Sequence, residues 1–522
     1  PRRGSRVRPP VAVVVTGREG WHRAQRERSR YKSGVRSQAA VHHLVLLSLA
    51  AAGAACGAET RTCAGLACAV DGSIAPACEP GVEEPCYTGP SGSAGVGVCR
   101  AGTRSCDPSG QWRACAGEVV PGPEVCGNGG DDNCSGAVDE DVDLDGDGFS
   151  TCAGDCCDSG SCGTPGLINP GAYDVAGNSV DDDCDGAVDN TLATCDDGIT
   201  SDTTDGLAFA RSLELCTTAE PDGARWGVIS ARLLRPSGGQ VLVAEGHAVR
   251  PAFGVNTPRA GASLAVFSTG RAAAPGDVAP TFVPMLSTGH CYGPGLGCPV
   301  PDGGFGVPAD FLAAHAGTLP NAPGCPPPRD DKARDGSMLE LVVRVPTNAR
   351  SLALDANFFT TEYPPWTCSP YNDMFVALLD STYAGPSPNP PDKNIAQYFD
   401  PAGQAYPLGV NLVHGDTGVF RQCQNGLIGC WDEQPEMVTR CEGTDGLVGT
   451  GYDLHYEDTC FPGSLAGGAT DWLAIRGNVV GGEVITLRLA IWDTADTLND
   501  SLVLLDHFRW STEASAPGVV VQ

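Results

Sequence analysis

The sequence has few aromatic residues, which make up 6% of its 522 residues, and only four methionines. It contains no Gly-x-Ser-x-Gly elbow, HExxH motif, P-loop or dinucleotide fingerprint, and the histidines beyond residue 195 stand singly. The enzyme classes defined by those motifs are therefore excluded, and we predict a non-enzymatic protein. Glycine (69 residues) and proline (41 residues) are abundant, which favours a strand-rich and loop-rich fold over a helical one.

Basic residues are scarce outside the N-terminus. The formal net charge is −30, and residues 1–55 hold 11 of the 33 Lys and Arg residues against two Glu. The rest of the chain has 22 basic and 61 acidic residues, a net charge of −39. Because such a surface repels nucleic acid and anionic membranes, we expect no nucleic-acid partner.

The chain has 25 cysteines but no CxxC pairs at zinc-finger spacing. So many cysteines, scattered through Gly- and Pro-rich segments, are typical of disulfides in an exported protein rather than of a reducing cytosol. The odd total leaves one cysteine over.

The N-terminus has the order of an export signal. Residues 1–37 are Arg-rich, and residues 44–55 form a short apolar stretch that ends in small residues before Cys56. This stretch is too short for a stable membrane span, and the small residues before Cys56 resemble the lipobox of bacterial lipoproteins. Lipid on Cys56 would leave 24 cysteines to pair. The alternative is an ordinary signal peptide cut near Ala55, with Cys56 in a disulfide. Because the chain begins with Pro1, residues 1–37 also fit a fragment or a misassigned start.

Three segments follow the predicted export segment of residues 1–55. Residues 56–123 are rich in Cys, Gly and Pro and predict a spacer or small β-module that disulfides must hold together. Residues 124–190 are rich in Asp and have no helical periodicity. Residues 195–514 predict a large β-sandwich-like domain, because short strand patterns alternate with turn clusters. The fold class that we predict is mainly β, with a helix-poor calcium-loop repeat and one or two helices in the large domain.

Two strands and one helix of the large domain have clear patterns. Residues 338–345 and 483–492 alternate with period two, which predicts one buried and one solvated face. Residues 203–215 predict a helix behind a Thr or Asp cap, with Leu207, Ala210 and Leu213 or Phe209 on one face.

The acidic segment contains an internal sequence repeat, whose repeated unit we call the phrase. Residues 125–139 recur 50 positions later as residues 175–189, and residues 124–190 hold 17 Asp or Glu and no Lys or Arg. Like charges about 4 Å apart repel by about 1 kcal/mol even in water, and by more inside a protein. The segment therefore either stays extended or holds a hard cation among its oxygens.

A calcium loop is predicted between the two copies. Asp143, Asp145 and Asp147 stand at i, i+2 and i+4 before Gly148, as in the first half of an EF-hand loop. The twelfth position, where an EF-hand has Glu, falls on Gly154, so Asp155 or Asp158 must supply the missing carboxylate. No amphipathic helices flank the loop, which makes it closer to thrombospondin-type calcium repeats. The predicted ligand set comprises Asp143, Asp145, Asp147, Phe149, Asp155 and Asp158.

Further sites could form in the two copies of the phrase. Their candidate ligands are Asn128, Asp131, Asp132 and Asp139 in the first copy and Asn178, Asp181, Asp183, Asp185 and Asp189 in the second. The alternatives are a solvated acidic spacer and another metal. His and Met are lacking here, so copper or zinc would miss its preferred ligands. Cys152, Cys156, Cys157 and Cys162 could be thiolate ligands, but disulfides are favoured, with the adjacent Cys156 and Cys157 linking different loops.

Two resemblances follow from these residues. Residues 124–190 resemble the metal-binding repeats of MopE-like bacterial surface proteins. Such repeats are common in exported proteins of myxobacteria. Residues 195–512 resemble the choice-of-anchor L domain of bacterial surface proteins, notably at residues 226–231, 362–364, 372–375, 467–473 and 491–494. The resemblances imply a surface location more than an activity.

The predicted function is that of an exported, cell-surface-anchored, calcium-binding protein in adhesion to a glycan, matrix or neighbouring cell. It would be an outer-membrane lipoprotein of a Gram-negative bacterium. The alternatives are a secreted hydrolase or carbohydrate-active protein with an accessory metal-binding repeat, and a copper-scavenging surface protein. Asn372, Asp373, Asp493 and Asp500 stand at predicted strand ends, where a loop could bind calcium or a sugar, or where they could cap turns.

Overall fold

The computed structural model describes residues 62–63, 66–67, 78–139, 142–190, 194–241, 245–284, 304–415, 417–431, 435–438, 440–453, 456–457, 460–461 and 465–522. The predicted export segment and Cys56 lie outside the described residues. Within the described part, no helix combines the length and apolar character needed to cross a bilayer.

Two antiparallel strand pairs precede the acidic segment. They are formed by β1 (Thr62–Cys63) with β2 (Leu66–Ala67), and β3 (Glu83–Cys86) with β4 (Gly102–Ser105). Disulfides Cys78–Cys106 and Cys86–Cys115 join the β3–β4 hairpin to the chain around it. The acidic segment that follows has only short 3₁₀ turns in its described residues, at Thr151–Ala153, Gly160–Cys162 and Pro165–Leu167.

The described part of the large domain contains two short helices, two 3₁₀ turns (Val410–Gly415 and Asp445–Leu447) and many strands. The helices are α1 (Gly206–Arg211) and α2 (Ala309–Ala314). The strands are β5 (Gly227–Leu234), β6 (His247–Arg250), β7 (Leu264–Ser268), β8 (Phe305–Gly306), β9 (Lys332–Arg344), β10 (Ser351–Thr360), β11 (Met374–Asp380), β12 (Gln397–Phe399), β13 (Ala405–Pro407), β14 (Gln422–Cys423), β15 (Gly426–Ile428), β16 (Glu436–Val438), β17 (Tyr456–Glu457), β18 (Leu465–Ala466), β19 (Gly468–Ala469), β20 (Leu473–Asn478), β21 (Val484–Thr494), β22 (Ser501–Ser511) and β23 (Gly518–Val521).

Two antiparallel sheets share one hydrophobic core. The larger has the order β14-β19-β10-β22-β7-β6, with β20 beside β10 and β23 beside β20. The smaller has the order β11-β21-β9-β5, with β8 beside β9. Leu341 and Leu489 of the smaller sheet and Leu354 and Val503 of the larger belong to the same buried cluster. The mainly β, sandwich-like fold is thereby confirmed, and β23 continues it past the predicted boundary at residue 514.

The predicted period-two alternation is confirmed over part of each long strand. Side chains alternate between buried and partly exposed over residues 339–344 of β9 and 484–489 of β21. Towards the other end of β21 both faces are buried, because the segment that carries α2 covers the outer face. Phe311 of α2 and Trp492 of β21 pack edge to face there, with ring centroids 6.4 Å apart.

The first helix is shorter than predicted, since α1 has six residues instead of the whole of 203–215. Its predicted cap is confirmed, because the Asp205 carboxylate accepts the Leu207 N–H at 3.0 Å. The helix ends because Glu214 adopts a left-handed conformation (φ 64°), which turns the chain out of the helix. The placement of Leu207 on the buried face was wrong, since Leu207 is 39% exposed while Phe209 is fully buried.

Candidate metal centre

The first copy of the acidic phrase uses its own carboxylates to hold its loop. The two oxygens of Asp131 accept the backbone N–H groups of Ser135 and Gly136, each at 2.9 Å. The Asp132 Oδ2 atom accepts the Asn128 side-chain amide at 2.6 Å. Such bonds from Asp to nearby backbone and amide groups stabilise a turn without any secondary structure.

The second copy repeats this arrangement. Asp181 accepts the N–H groups of Asp185 and Gly186 at 3.1 and 3.0 Å, and Asp182 accepts the Asn178 amide at 2.7 Å. Left-handed backbone also occurs at equivalent positions, in Cys134 and Cys184 and in Asp139 and Asp189. The repeated sequence is therefore a repeated fold. A role for Asn128, Asp131, Asp132, Asp139, Asn178 and Asp189 as ion ligands stays a prediction, because the described bonds of these side chains lie within the loops.

The carboxylates of the central loop form two neighbouring groups that share Asp145. One oxygen from each of Asp143, Asp145 and Asp158 lies within 4.8 Å of the others, and the same holds for Asp145, Asp147 and Asp155. Asp155 and Asp158, at 4% and 7% exposure, are both drawn into the loop from the positions beyond Gly154. We name these five carboxylates the central acid loop.

Backbone N–H groups shape the central acid loop. Asp143 accepts the N–H groups of Gly146 at 2.6 Å and Gly148 at 2.9 Å, and both glycines have positive φ angles that other residues rarely adopt. Asp158 closes the far side by accepting the N–H groups of Leu144 at 2.7 Å and Thr151 at 3.1 Å.

Two oxygens in the central acid loop are buried without a hydrogen-bond donor, Asp145 Oδ2 and Asp155 Oδ2. Burial, followed by the charges of Asp147, Asp145 and Asp158, raises the pKa of Asp155 to about 6. Burial also raises the pKa values of Asp145 and Asp147. A buried carboxylate oxygen without a donor is costly, and a cation among these oxygens would offset that cost.

Phe149 and Asn169 connect the central acid loop to the large domain. The Asn169 side-chain amide donates to Asp147 Oδ2 at 2.7 Å, and its carbonyl accepts the Thr347 hydroxyl at 2.7 Å. The buried Phe149 ring packs over Gly171, whose carbonyl accepts the Thr347 N–H at 2.9 Å. The sequence pattern did not indicate Asn169 as a functional residue, because its partners lie 22 and 178 positions away.

Disulfides surround the acidic segment. They are Cys99–Cys134, Cys126–Cys152, Cys156–Cys184 and Cys157–Cys162. The prediction that Cys156 and Cys157 link different loops is confirmed. All 20 cysteines that the structure describes from Cys78 onward are disulfide-bonded, so none of these offers a thiolate to a metal.

A second group of three carboxylates lies in the second copy of the phrase. Asp181, Asp183 and Asp185 have oxygens within 4.8 Å of one another. Burial, and next the charge of Asp185, raises the pKa of Asp183 to about 6. This group is more exposed than the central acid loop.

The predicted secondary loop site is not on an exposed loop. Asn372, Asp373, Asp493 and Asp500 are all buried, at 4% exposure or less. Asp373 and Asp500 directly precede strands β11 and β22, whereas Asp493 lies within β21. These residues therefore face the protein interior.

Comparison with known families bears on the acidic segment. The Cu-binding MopE family, described as a "putative metal-binding motif", matches residues 119–140 and 166–190. Residues 119–190 carry a MopE-like metal-binding motif. The two matched stretches contain the two copies of the phrase, and the central acid loop lies between them. No curated protein and no solved structure matches the chain.

We expect the binding of a divalent cation to the central acid loop to weaken as the pH falls below about 6. In the ion-free folded protein the pKa of Asp155 is about 6, against 3.8 ordinarily, so between these values the folded state holds a proton that the unfolded chain has released. The stability of the ion-free protein therefore falls as the pH rises through this window. A cation that binds to Asp155 must displace this proton. The apparent dissociation constant should rise about tenfold per pH unit below 6, because about one proton leaves per ion bound. Calorimetric titration at several pH values measures this, and an affinity that stays constant from neutral to acidic pH would contradict it.

Proposed function

We propose that this protein is an exported, calcium-binding, non-enzymatic surface protein whose acidic repeat is a structural calcium element. The observation that carries the proposal is the central acid loop, in which two groups of three carboxylates share Asp145 and two carboxylates have buried oxygens without donors. The all-oxygen donor set and the Asp-Gly turns suit calcium, which takes six to eight oxygen ligands in flexible geometry.

Calcium is favoured over copper by the donors that are present. The matched family takes its name from copper, yet residues 124–190 contain neither His nor Met, and the cysteines there are held in disulfides. Copper prefers imidazole or soft sulfur ligands, whereas carboxylates suit calcium. Copper scavenging is therefore the weaker candidate.

The proposed ion would stiffen the junction between the repeat and the β-sandwich. It would fix the orientation of Asp147, which binds Asn169, and Asn169 in turn binds Thr347 in the β9–β10 turn. The N–H of Tyr173 and the side-chain amide of Asn348 add two more bonds across the same junction, at 3.1 and 2.8 Å. A calcium-dependent stalk of this kind would present the large domain at a fixed angle.

Metal titration tests the proposal. The full exported chain should bind calcium, and Asp145→Asn/Asp155→Asn should weaken this at least about tenfold, because two charged ligands, each with one buried oxygen that has no donor, become neutral. The matched control is Asp107→Asn, in an exposed Asx turn of the preceding module, which should bind like the parent. Copper bound more tightly than calcium, in equilibrium dialysis of both ions, would overturn the calcium assignment.

The surface location and the adhesion role belong to the same proposal. Its support is the number of disulfides and the MopE-like motif, together with the lipobox-like residues before Cys56 and the resemblance of residues 195–512 to choice-of-anchor L domains. A Cys56→Ala variant that stays in the membrane fraction like the parent would argue against the lipid tether. Binding to surface glycans, matrix or whole cells, measured with and without calcium, tests adhesion.

A second candidate, a secreted carbohydrate-active enzyme, rests on one cavity. It has a volume of about 490 Å³, lies where the repeat meets the β-sandwich, and is lined by Tyr173, Glu214, Trp226, His507 and Trp510 among others. Burial, followed by Asp506 and Asp196, raises the pKa of Glu214 to about 8, as a general acid at neutral pH requires. Glycan hydrolysis that Glu214→Gln abolishes would favour this candidate over adhesion.

A further inference from the structure

A further group of carboxylates, separate from those of the repeat, is buried inside the β-sandwich. Asp493 of β21 is 0% exposed, Asp373 before β11 is 1% exposed, and Glu362 after β10 is 2% exposed. Asp335 of β9 and Asp500 before β22 are buried beside them. We name these five residues the interior acid cluster.

The two sheets meet at this cluster. In β11, Phe375, Ala377 and Leu379 point into the core between the sheets, and Asp373 continues the same series two residues earlier. From the opposite sheet, the Ser501 hydroxyl of β22 donates to Asp373 Oδ2 at 2.7 Å. The Thr494 N–H of β21 donates to Asp373 Oδ1 at 3.3 Å. The cluster thus fills one end of the core, where apolar residues would otherwise lie.

Asp493 is the residue that points to a ligand. Neither of its carboxylate oxygens has a hydrogen-bond partner, and the nearby Thr494 Oγ1 atom is also buried without one. The Thr269 hydroxyl lies close enough to lower the pKa of Asp493, but it directs its proton to the Ser501 carbonyl at 3.3 Å. Asp493 and Asp373 lie close enough to share a proton. A fully buried pair of carboxylates without a basic partner requires either a proton or a cation.

Among the described residues, no basic side chain pairs with Glu362, Asp373 or Asp493 of the interior acid cluster. The charged groups that act most strongly on Asp493 are Asp373, Asp335 and Asp500, all of them acidic. Arg334 lies in the neighbouring strand but pairs with Asp330 at 2.6 Å, and Arg329 donates to the Tyr371 hydroxyl at 2.5 Å. Burial raises the pKa values of Glu362, Asp373 and Asp493, in keeping with this lack of positive charge.

We propose that the interior acid cluster binds one hard divalent cation, calcium by its all-oxygen donors, with Asp493 and Asp373 as the charged ligands. Groups of three converging carboxylates occur in the repeat but not in this cluster, within the part of the chain that the structure describes. Neutral oxygens, with Thr494 Oγ1 first among them, would therefore complete the coordination. A sugar cannot be the ligand, because Asp373 and Asp493 are closed to solvent. The ion would tie β11 and β21 of one sheet to β22 of the other.

The decisive variant is Asp493→Asn, which keeps the shape of the side chain and removes its charge. With calcium present, the melting temperature should fall below that of the parent, because a charged ligand is lost. In chelator it should rise above that of the parent, because an uncompensated buried charge is lost. Asp222→Asn, at an exposed turn, is the control and should change neither value. If Asp493→Asn raises the melting temperature equally in calcium and chelator, the cluster is merely protonated and the proposal is wrong.

Metal analysis separates this site from the repeat. The full chain with Asp145→Asn and Asp155→Asn, loaded with calcium chloride and gel-filtered, should retain an ion that is absent after the further change Asp373→Asn. Mass spectrometry of the metal content gives the count. The absence of a retained ion, or equal retention in the Asp373→Asn chain, would overturn the interior site and leave the assignment of the repeat untouched.

Discussion

Removing the proposed calcium ion with a chelator should open the acidic repeat to proteolysis and leave the β-sandwich resistant. An ion present at about 100 times its dissociation constant stabilises the folded state by about 2.7 kcal/mol, so chelation should raise the open population about a hundredfold. Between its disulfides the repeat has little apolar packing to oppose local opening, because residues 124–190 contain only two aromatic residues, Phe149 and Tyr173. Cleavage should begin after Leu144 and Phe149, on either side of Asp145 and Asp147.

The choice of protease matters for this measurement. Trypsin cannot report on the repeat, since no Lys or Arg occurs between Arg113 and Arg211. A chymotrypsin-like serine protease cuts after Leu and Phe and needs no metal. The Asp145→Asn/Asp155→Asn chain should be cut at the same rate in calcium and in chelator. Equal cleavage of the parent chain in calcium and in chelator would refute a structural role for the ion.

Breaking the Cys156–Cys184 disulfide should unfold the repeat and weaken calcium binding together. The bond closes a loop with a sequence separation of 28, for which chain entropy predicts a stabilisation of about 3–4 kcal/mol. Cys156 directly follows Asp155, whose oxygen is one of the two without a donor in the central acid loop. The change Cys156→Ser/Cys184→Ser should therefore raise the calcium dissociation constant at least about tenfold, since the ion must then order a loop that is loose.

A second disulfide provides a matched control for this prediction. Cys78–Cys106 also has a sequence separation of 28 but lies in the β3–β4 module, away from the carboxylates. Cys78→Ser/Cys106→Ser should lose similar chain-entropy stabilisation within its module and leave calcium affinity unchanged. Calorimetric titration of both variants separates the two effects. Equal losses of affinity would mean that the disulfides act on general stability and not on the ion site.

Local spacing along the chain is sufficient to predict the repeat. The two copies of the phrase, and the i, i+2, i+4 order of Asp143, Asp145 and Asp147, act through bonds between residues only a few positions apart. The Asp131 carboxylate, for example, binds N–H groups four and five residues later. Such turns form wherever the same residues recur, so the sequence determines them without the rest of the fold.

The mainly β fold can also be predicted from the sequence, but the burial of individual strand faces and the ends of the helices cannot. Period-two alternation predicted β9 and β21. Near Trp492, however, both faces of β21 are buried because α2 covers the outer face, and the sequence of β21 alone does not reveal that helix. The early end of α1 depends on the left-handed backbone at Glu214, which cannot be predicted from helical periodicity. Tertiary packing overrides local preference at such positions.

The sequence by itself determined the mainly β class, the acidic repeat and the spacing of its carboxylates, because each depends on residues close together in the chain. The tertiary structure alone decided three things: which cysteines pair, that Asn169 links Asp147 to Thr347, and that Asp373 and Asp493 lie inside the sandwich. Asp373 accepts a hydrogen bond from the Ser501 hydroxyl, which lies 128 positions away in the sequence and in the opposite sheet. Contacts of that range depend on the register and packing of whole sheets, which no local pattern contains.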